Sequence, residues 1–457
     1  MRRLRQLAER TPAGRERYAD LLRALAITMV VIGHWGITVI TYDAVGRPTG
    51  HSALGDLPWV WPLTWVAQVM PVFFLVGGFA NAASLAAHRR RQPGPGTATG
   101  WLVDRSARLV RPTTALLVVL TLGAGVASLR GADPAQVREV VWFATIPLWF
   151  LVAYLVVVPL TPPMYALHRR FGLAVPAALV GLVALGDLGR LLGPAGLAGG
   201  NYLFGWLAVH QIGFAWHDAR TPQLPGRRRL PLTRRAGAVL LTAGLVALVL
   251  LTVVGPYPVV MLNVPGERLD NAAPPSLALL AAFTAQLGLI LLLRVPAQRW
   301  LRRRGPWQAV IAVNAVVLTV FLWHLTAAIL LIGLLDALGV LPTPTVGTAA
   351  WWAWRVPWLL ALAVVLGALV AVLGPIEART RRTTRSVVGG DATTRVRAAR
   401  SGLTVAGYAG VVAGLLLNSL TRKSHPEPLG LPAPALVAYL AGAGLLRLLR
   451  SGWGSRG

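Results

Sequence analysis

Residues 17–42 read RYADLLRALAITMVVIGHWGITVITY. After Arg23 no charged side chain appears until Asp43. A helix needs about 20 apolar residues to cross a hydrocarbon layer of ~30 Å. This stretch meets that requirement and is read as a membrane span. The rest of the chain repeats the pattern. Of 457 residues, 55% are hydrophobic and only 13% are charged. An average soluble domain carries about 25% charged residues. Mean hydropathy is +0.61. Too few charges remain to cover the surfaces of soluble domains, so a soluble enzyme, a secreted scaffold and a disordered chain are excluded. The sequence holds no cysteine. Disulfides, thiolate metal sites and cysteine nucleophiles are therefore excluded as well.

Ten core spans follow from the apolar blocks: 20–42, 59–87, 109–129, 141–160, 172–189, 201–217, 236–255, 276–293, 309–335 and 351–375. The net charge of +28 would suggest nucleic acid in a soluble protein. Here the basic residues fall in alternate loops, which is the positive-inside pattern. Arg89, Arg90, Arg91, Arg105 and Arg108 follow span two, and Arg169 and Arg170 follow span four. Arg220, Arg227, Arg228, Arg229, Arg234 and Arg235 follow span six, and Arg294, Arg299, Arg302, Arg303 and Arg304 follow span eight. The intervening loops are nearly neutral or mixed, as at Glu267, Arg268 and Asp270. The expected fold is an all-α polytopic membrane helix bundle with ten core transmembrane helices and a cytoplasmic N-terminus. The basic loops are expected to meet anionic lipid, with no nucleic-acid partner. The first span reads as a signal anchor rather than a cleaved signal. Two further apolar stretches, 403–420 and 431–449, flank Arg422 and Lys423 and suggest one extra hairpin. The expected organisation is a basic N-terminus 1–19, a transmembrane domain 20–380, a basic linker 381–402 and a hydrophobic hairpin with tail 403–457.

Polar side chains at bilayer depth are costly, so each is a functional candidate. His34 sits mid-span and suits general-base work, or an interhelical hydrogen bond. Asp20 and Arg23 are i, i+3 neighbours that can pair on one face. Eleven residues separate Arg23 from His34. At 100° per residue they return to one face, about 20° apart and ~16 Å along the axis. That spacing suits a long substrate with an anionic head at the surface and a buried reactive end, the shape of a phosphorylated pantetheine carrier. Arg105 and Arg108 share a helix face and suit phosphate, or simply decorate a cytoplasmic loop. His324 lies deep in span nine and Trp149 in span four, where packing is the plainer role. His210 with Gln211, and Asn201 with Tyr202, make span six polar; they line a cavity or satisfy one another. No Walker loop, H-E-x-x-H helix, metal cluster or G-x-S-x-G elbow is present, so no metal and no resident cofactor is expected.

RYADLLRALAITMVVIGHWG resembles the opening signature of the integral-membrane acyltransferase family 3, the bacterial membrane O-acyltransferases. It supplies Asp20, Arg23 and His34. MPVFFLVGGFANA (70–82) is similar to the family's Phe-Phe-x-x-Ser-Gly-Phe block, with Gly77 where Ser is usual. RSARLVRP (105–112) looks like its R-x-x-R pattern, LWFLVAYL (148–155) like its Trp-bearing block, and FLWHLT (321–326) like its Y-L-W-H block. GPIEART (374–380) is similar to the Ile/Val-Glu after the tenth helix and gives Glu377. The resemblance covers about 15–380 and not the last two apolar stretches. NYLFGWLAVHQIGFAWHDA and YPVVMLNVPGERLDNAAPP look like a stand-alone actinobacterial branch.

The resemblance implies acyl transfer, by default of acetyl, from a cytoplasmic acyl-CoA co-substrate. The acceptor is a hydroxyl of a carbohydrate, lipid or metabolite, and the site a multi-pass protein of the bacterial cytoplasmic membrane. His34 is then the general base, with Asp20 beside it in the catalytic set, and Arg23, Arg105 and Arg108 hold the donor phosphates. Trp149, His324 and His210 line a substrate tunnel. Glu377 is a partner carboxylate, or pairs with Arg379 or Arg381. On the physical pattern alone, a transporter or flippase of a lipid-linked or anionic solute is the competing reading, and a non-catalytic scaffold is the third.

Overall fold

The computed structural model describes residues 14–91, 97–220, 229–264, 269–380 and 394–451, with Glu9 and Thr11. Arg2, Arg3, Arg5, Arg10, Arg227, Arg228, Glu267, Arg268 and the linker up to 393 lie outside the described residues.

In chain order the helices are α1 (Arg17–Ile37), α2 (Met70–Arg91), α3 (Thr97–Leu129), α4 (Pro134–Thr145), α5 (Leu148–Val157), α6 (Thr161–Phe171), α7 (Ala174–Leu192) and α8 (Asn201–Asp218). Then follow α9 (Arg234–Val249), α10 (Leu277–Trp300), α11 (Arg304–Ala315), α12 (Val317–Ala337), α13 (Ala349–Thr380), α14 (Thr394–Leu420) and α15 (Ala433–Arg450). Among the described residues, eleven helical segments are long and apolar enough to cross a membrane. The protein is an all-α, multi-pass membrane protein.

The chain forms two compact units. The first comprises Met1–Ser84, Leu160–Asn314 and Pro342–Leu359. It holds α1, most of α2, α6 to α11 and the start of α13. It also holds an antiparallel hairpin of β1 (Thr38–Tyr42) and β2 (Pro48–Ser52), in register Thr38↔Ser52 to Tyr42↔Pro48. The second comprises Leu85–Pro159, Ala315–Leu341 and Leu360–Gly457, and holds α3 to α5, α12, the rest of α13, α14 and α15.

Several boundaries differ from the hydropathy reading, each for a physical reason. The end of span one is strand rather than helix, because Thr38–Tyr42 is a run of β-branched and aromatic residues. Span four divides at Ile146 and Pro147 into α4 and α5. Its membrane-length segment is Leu148–Phe171, running through the expected loop 161–171. Pro162 and Pro163 permit this because they fall in the first turn of α6, where an N–H is not needed. Span nine breaks at Val316, leaving α11 outside the membrane-length segment Val317–Ala337. Span six forms α8, but it falls outside the apolar set. Most of α8 is buried inside the first unit, so it needs no lipid-compatible exterior and can carry Asn201, His210, Gln211 and Asp218.

The two C-terminal stretches form the expected hairpin. A Cβ on Gly414 would overlap Tyr439, and one on Gly442 would overlap Gly407 and Val411, so α14 and α15 meet backbone to backbone. At its turn, Arg138 of α4 is fully buried and donates to the Asn418 side chain (2.8 Å) and to the carbonyls of Asn418, Thr421 and Gly430. Burial lowers its pKa from the ordinary arginine value.

Candidate functional site

The first unit places Asp20, Arg23 and His34 on one unbroken helix. Asp20 is buried at its start. Arg23 Nη1 donates to Asp20 Oδ1 at 3.2 Å, which realises the i, i+3 pair. Arg15 Nε donates to Asp20 Oδ2 at 2.6 Å. Asn314, at the end of α11, closes the group. Its Nδ2 donates to the Asp20 carbonyl (2.8 Å), and its Oδ1 lies 3.4 Å from Arg23 Nη1. One turn away, Glu16 meets Arg294 (3.5 Å), Arg220 (3.7 Å) and Gln298 Nε2 (2.9 Å). Two buried carboxylates therefore organise Arg15, Arg23, Arg220 and Arg294. Guanidinium groups outnumber carboxylates, and the surplus positive charge suits an anionic head.

His34 is half-buried near the other end of α1. Its carbonyl accepts from Thr38, through both the backbone N–H and Oγ1 (2.6 Å). The first turns of α13 hold this end of the helix. Trp358 Nε1 donates to the Trp35 carbonyl (3.2 Å), and Arg355 Nη1 donates to the Thr38 carbonyl (2.8 Å). The Arg355 guanidinium lies 4.5 Å over the Trp351 ring. A cation at a helix C-terminus also meets the negative end of its dipole.

His210 is fully buried on α8, and Asn81 Nδ2 lies 3.0 Å from its Nε2. The glycine block of α2 explains that closeness. A Cβ on Gly78 would overlap the His210 carbonyl, and one on Gly213 would overlap the Leu75 carbonyl. The glycines let the two helices meet at backbone distance, which carries Asn81 to the imidazole.

The second unit holds Arg105, Arg108, Trp149, His324 and Glu377. Arg105 Nη2 donates to Tyr154 Oη at 3.0 Å, linking α3 to α5. Its Nε is buried and makes no hydrogen bond among the described residues. Arg108, one turn on, is exposed. An aromatic row runs from α5 to α12. Trp149 meets Phe150 edge-on, Phe150 lies 5.6 Å from Phe321, and Phe321 lies 6.1 Å from His324. His324 is fully buried, with Nδ1 2.6 Å from the Phe321 carbonyl.

Glu377 has a place that neither sequence alternative named. Its Oε2 accepts from the Thr319 N–H (2.8 Å) and Thr319 Oγ1 (2.7 Å), and its Oε1 from the Leu318 N–H (3.3 Å). It caps the N-terminus of α12, the helix that carries His324. The side chain of Arg379, and Arg381 as a whole, lie outside the described residues.

Sequence reasoning missed Asn314, Glu16, Tyr154 and Arg355. Glu16 stood next to the quoted signature, and Arg355 was a lone cation in an apolar Trp-rich stretch; both were visible signals. Asn314 and Tyr154 became legible only when α11 met α1 and α3 met α5. Among the described residues, no group of three His, Cys, Asp or Glu side chains is arranged to hold a metal.

A family model described as an acyltransferase domain matches residues 16–376. No curated protein and no solved structure matches the chain.

Proposed function

The chain belongs to the integral-membrane acyltransferase family 3, and from that premise we propose that it transfers an acyl group, acetyl by default, from cytoplasmic acyl-CoA to a hydroxyl. The acceptor class is a carbohydrate, a lipid or a metabolite, and the membrane is the bacterial cytoplasmic one. His34 removes the proton from the acceptor hydroxyl as its oxygen attacks the thioester carbonyl. The C–O bond forms, the C–S bond breaks, and the coenzyme A thiolate takes the proton back from the imidazolium. Arg23, Arg105 and Arg108 hold the donor phosphates. Asp20 keeps Arg23 extended along its face. Trp149 and His324 steady the acyl-bearing arm, and His210, beside Asn81, lines the substrate tunnel in the first unit.

One observation carries this reading. Arg23 and His34 share a continuous helix whose two ends are independently fixed, by Asp20 with Asn314 and by Arg355 with Trp358. The spacing of Arg23 and His34 along α1 is held at both ends, which supports the reading of a donor with its head at one and its thioester at the other.

The test is donor turnover. Purified protein in nanodiscs receives acetyl-CoA, and free coenzyme A is followed with and without membrane extract. His34→Ala is expected to lower release by about 10²–10⁴-fold while remaining folded and inserted. Equal release by both proteins would overturn the assignment. Absence of release across several acyl donors and extracts would favour the transporter reading, and solute flux would be measured next.

A further inference from the structure

α3 carries both Arg105 and Arg108, and it stays helical through Pro112. Proline lacks an N–H, and its ring crowds the carbonyl four residues earlier. Here that carbonyl belongs to Arg108. The turn that presents Arg108 is therefore the one the helix itself supports least.

The C-terminal hairpin supports it from outside. Three contacts run along α3. Near its start, Thr99 Oγ1 lies 3.2 Å from Ser401 Oγ. Near its end, Ser128 Oγ donates to the Pro428 carbonyl. Between them, Tyr439 Oη donates to the Val110 carbonyl at 3.0 Å and lies 3.1 Å from Thr114 Oγ1. Thr114 Oγ1 donates to the same carbonyl at 2.8 Å. Val110 falls between Arg108 and Pro112, so two hydroxyls converge on the weakened turn.

A second phenol of the hairpin serves the other arginine. Tyr408 Oη donates to the Leu155 carbonyl at 2.6 Å. Leu155 follows Tyr154, the residue that receives Arg105. Both phenols are buried, Tyr439 at 1% exposure and Tyr408 at 5%. Packing alone asks for neither hydroxyl, since phenylalanine fills nearly the same volume. The hairpin lies beyond residue 376, where the family match ends.

We propose that the C-terminal hairpin is a positioning element for donor binding, with Tyr439 and Tyr408 as the positioning residues that fix Arg108 and Arg105. This rests on the reading that those arginines hold the donor phosphates. The hydroxyls do not touch the donor; they set the backbone from which the guanidinium groups project.

The test uses the full chain in nanodiscs with coenzyme A itself as probe, by calorimetry, beside acetyl-CoA kinetics. Tyr439→Phe and Tyr408→Phe are each expected to weaken coenzyme A binding about three- to tenfold. KM for the donor rises to match, while kcat stays within about twofold. Ser128→Ala, which removes the contact at the far end of α3, is expected to behave as wild type. Thr114→Val addresses the same carbonyl if Tyr439→Phe fails to insert. Phe variants that bind coenzyme A like wild type overturn the proposal even if their Tm falls, since the hydroxyls would then serve stability alone. Wild-type protein that binds no coenzyme A overturns the donor reading first and this proposal with it, and that result needs no variant to recognise.

Discussion

A carboxylate at a helix N-terminus accepts from N–H groups that have no partner within the helix, and it also meets the positive end of the dipole. Glu377 does both for α12. Glu377→Gln keeps an acceptor oxygen and loses the charge, whereas Glu377→Ala loses both. Tm in detergent is expected to fall in the order wild type, Gln, Ala, with Ala costing about 1–2 kcal/mol. A Gln variant as stable as wild type would show that the charge contributes nothing. Arg355 plays the reciprocal part at the C-terminus of α1. Arg355→Ala is expected to speed hydrogen exchange at the amides of residues 34–38, next to His34, while exchange at residues 24–28 stays unchanged. Uniform protection along α1 would contradict this. The two residues differ in how far they could be read in advance. Glu377 was visible as a lone carboxylate after an apolar block, but its partner was not. A backbone N–H 58 residues away leaves no mark in sequence, whereas an Asp and an Arg three apart on one helix do.

At the scale of the helix, contact geometry decides which glycines matter. Gly78→Ala and Gly213→Ala each place a methyl on the backbone of the facing helix, where no flexible side chain can give way. Overpacking of this kind costs about 1–3 kcal/mol or more. Both variants are expected to lower the yield of monodisperse protein in fluorescence-detected size exclusion. Gly33→Ala meets nothing within 4 Å. It is expected to hold or raise Tm, because alanine is the better helix former by about 1 kcal/mol. Hydropathy could not separate these cases, for it sees a residue's solvation and not its neighbour. The same limit explains the boundaries. Apolar runs located the spans, but Arg105, Arg108, Arg294 and Arg299 are good helix formers, so α3 and α10 extend beyond the apolar runs 109–129 and 276–293. Val316 carries no turn residue's signature, yet α12 starts anew there, because Glu377 supplies the missing cap. In the candidate site, the helix bearing Arg23 and His34 was legible as one face. The aromatic row from Trp149 to His324 was not, since it joins residues more than 170 positions apart along the chain.

For the whole molecule the open arithmetic is topological. Eleven segments are apolar enough to span, yet the basic stretches around Arg169 and around Arg234 share a side only if α8 also crosses. Counted with α8, the described residues hold twelve candidate crossings, and the positive-inside pattern then predicts that Leu232 and Ser451 share a side. The absence of native cysteine makes this directly measurable. Single cysteines at Thr49, Gly196 and Ser424 are expected to react with an impermeant maleimide on intact cells, and those at Leu232 and Ser451 only after lysis. Labelling of Leu232 from outside would mean that α8 does not span. Synthesis order adds a consequence of the hairpin. Val110 and Tyr439 are 329 residues apart. At ~5–20 residues per second, roughly 16–66 s pass between translation of the turn and translation of its brace. A chain that stops soon after residue 376 holds the whole matched domain but lacks both Tyr408 and Tyr439. Until α15 is made, the turn at Pro112 lacks the Tyr439 hydroxyl that braces it.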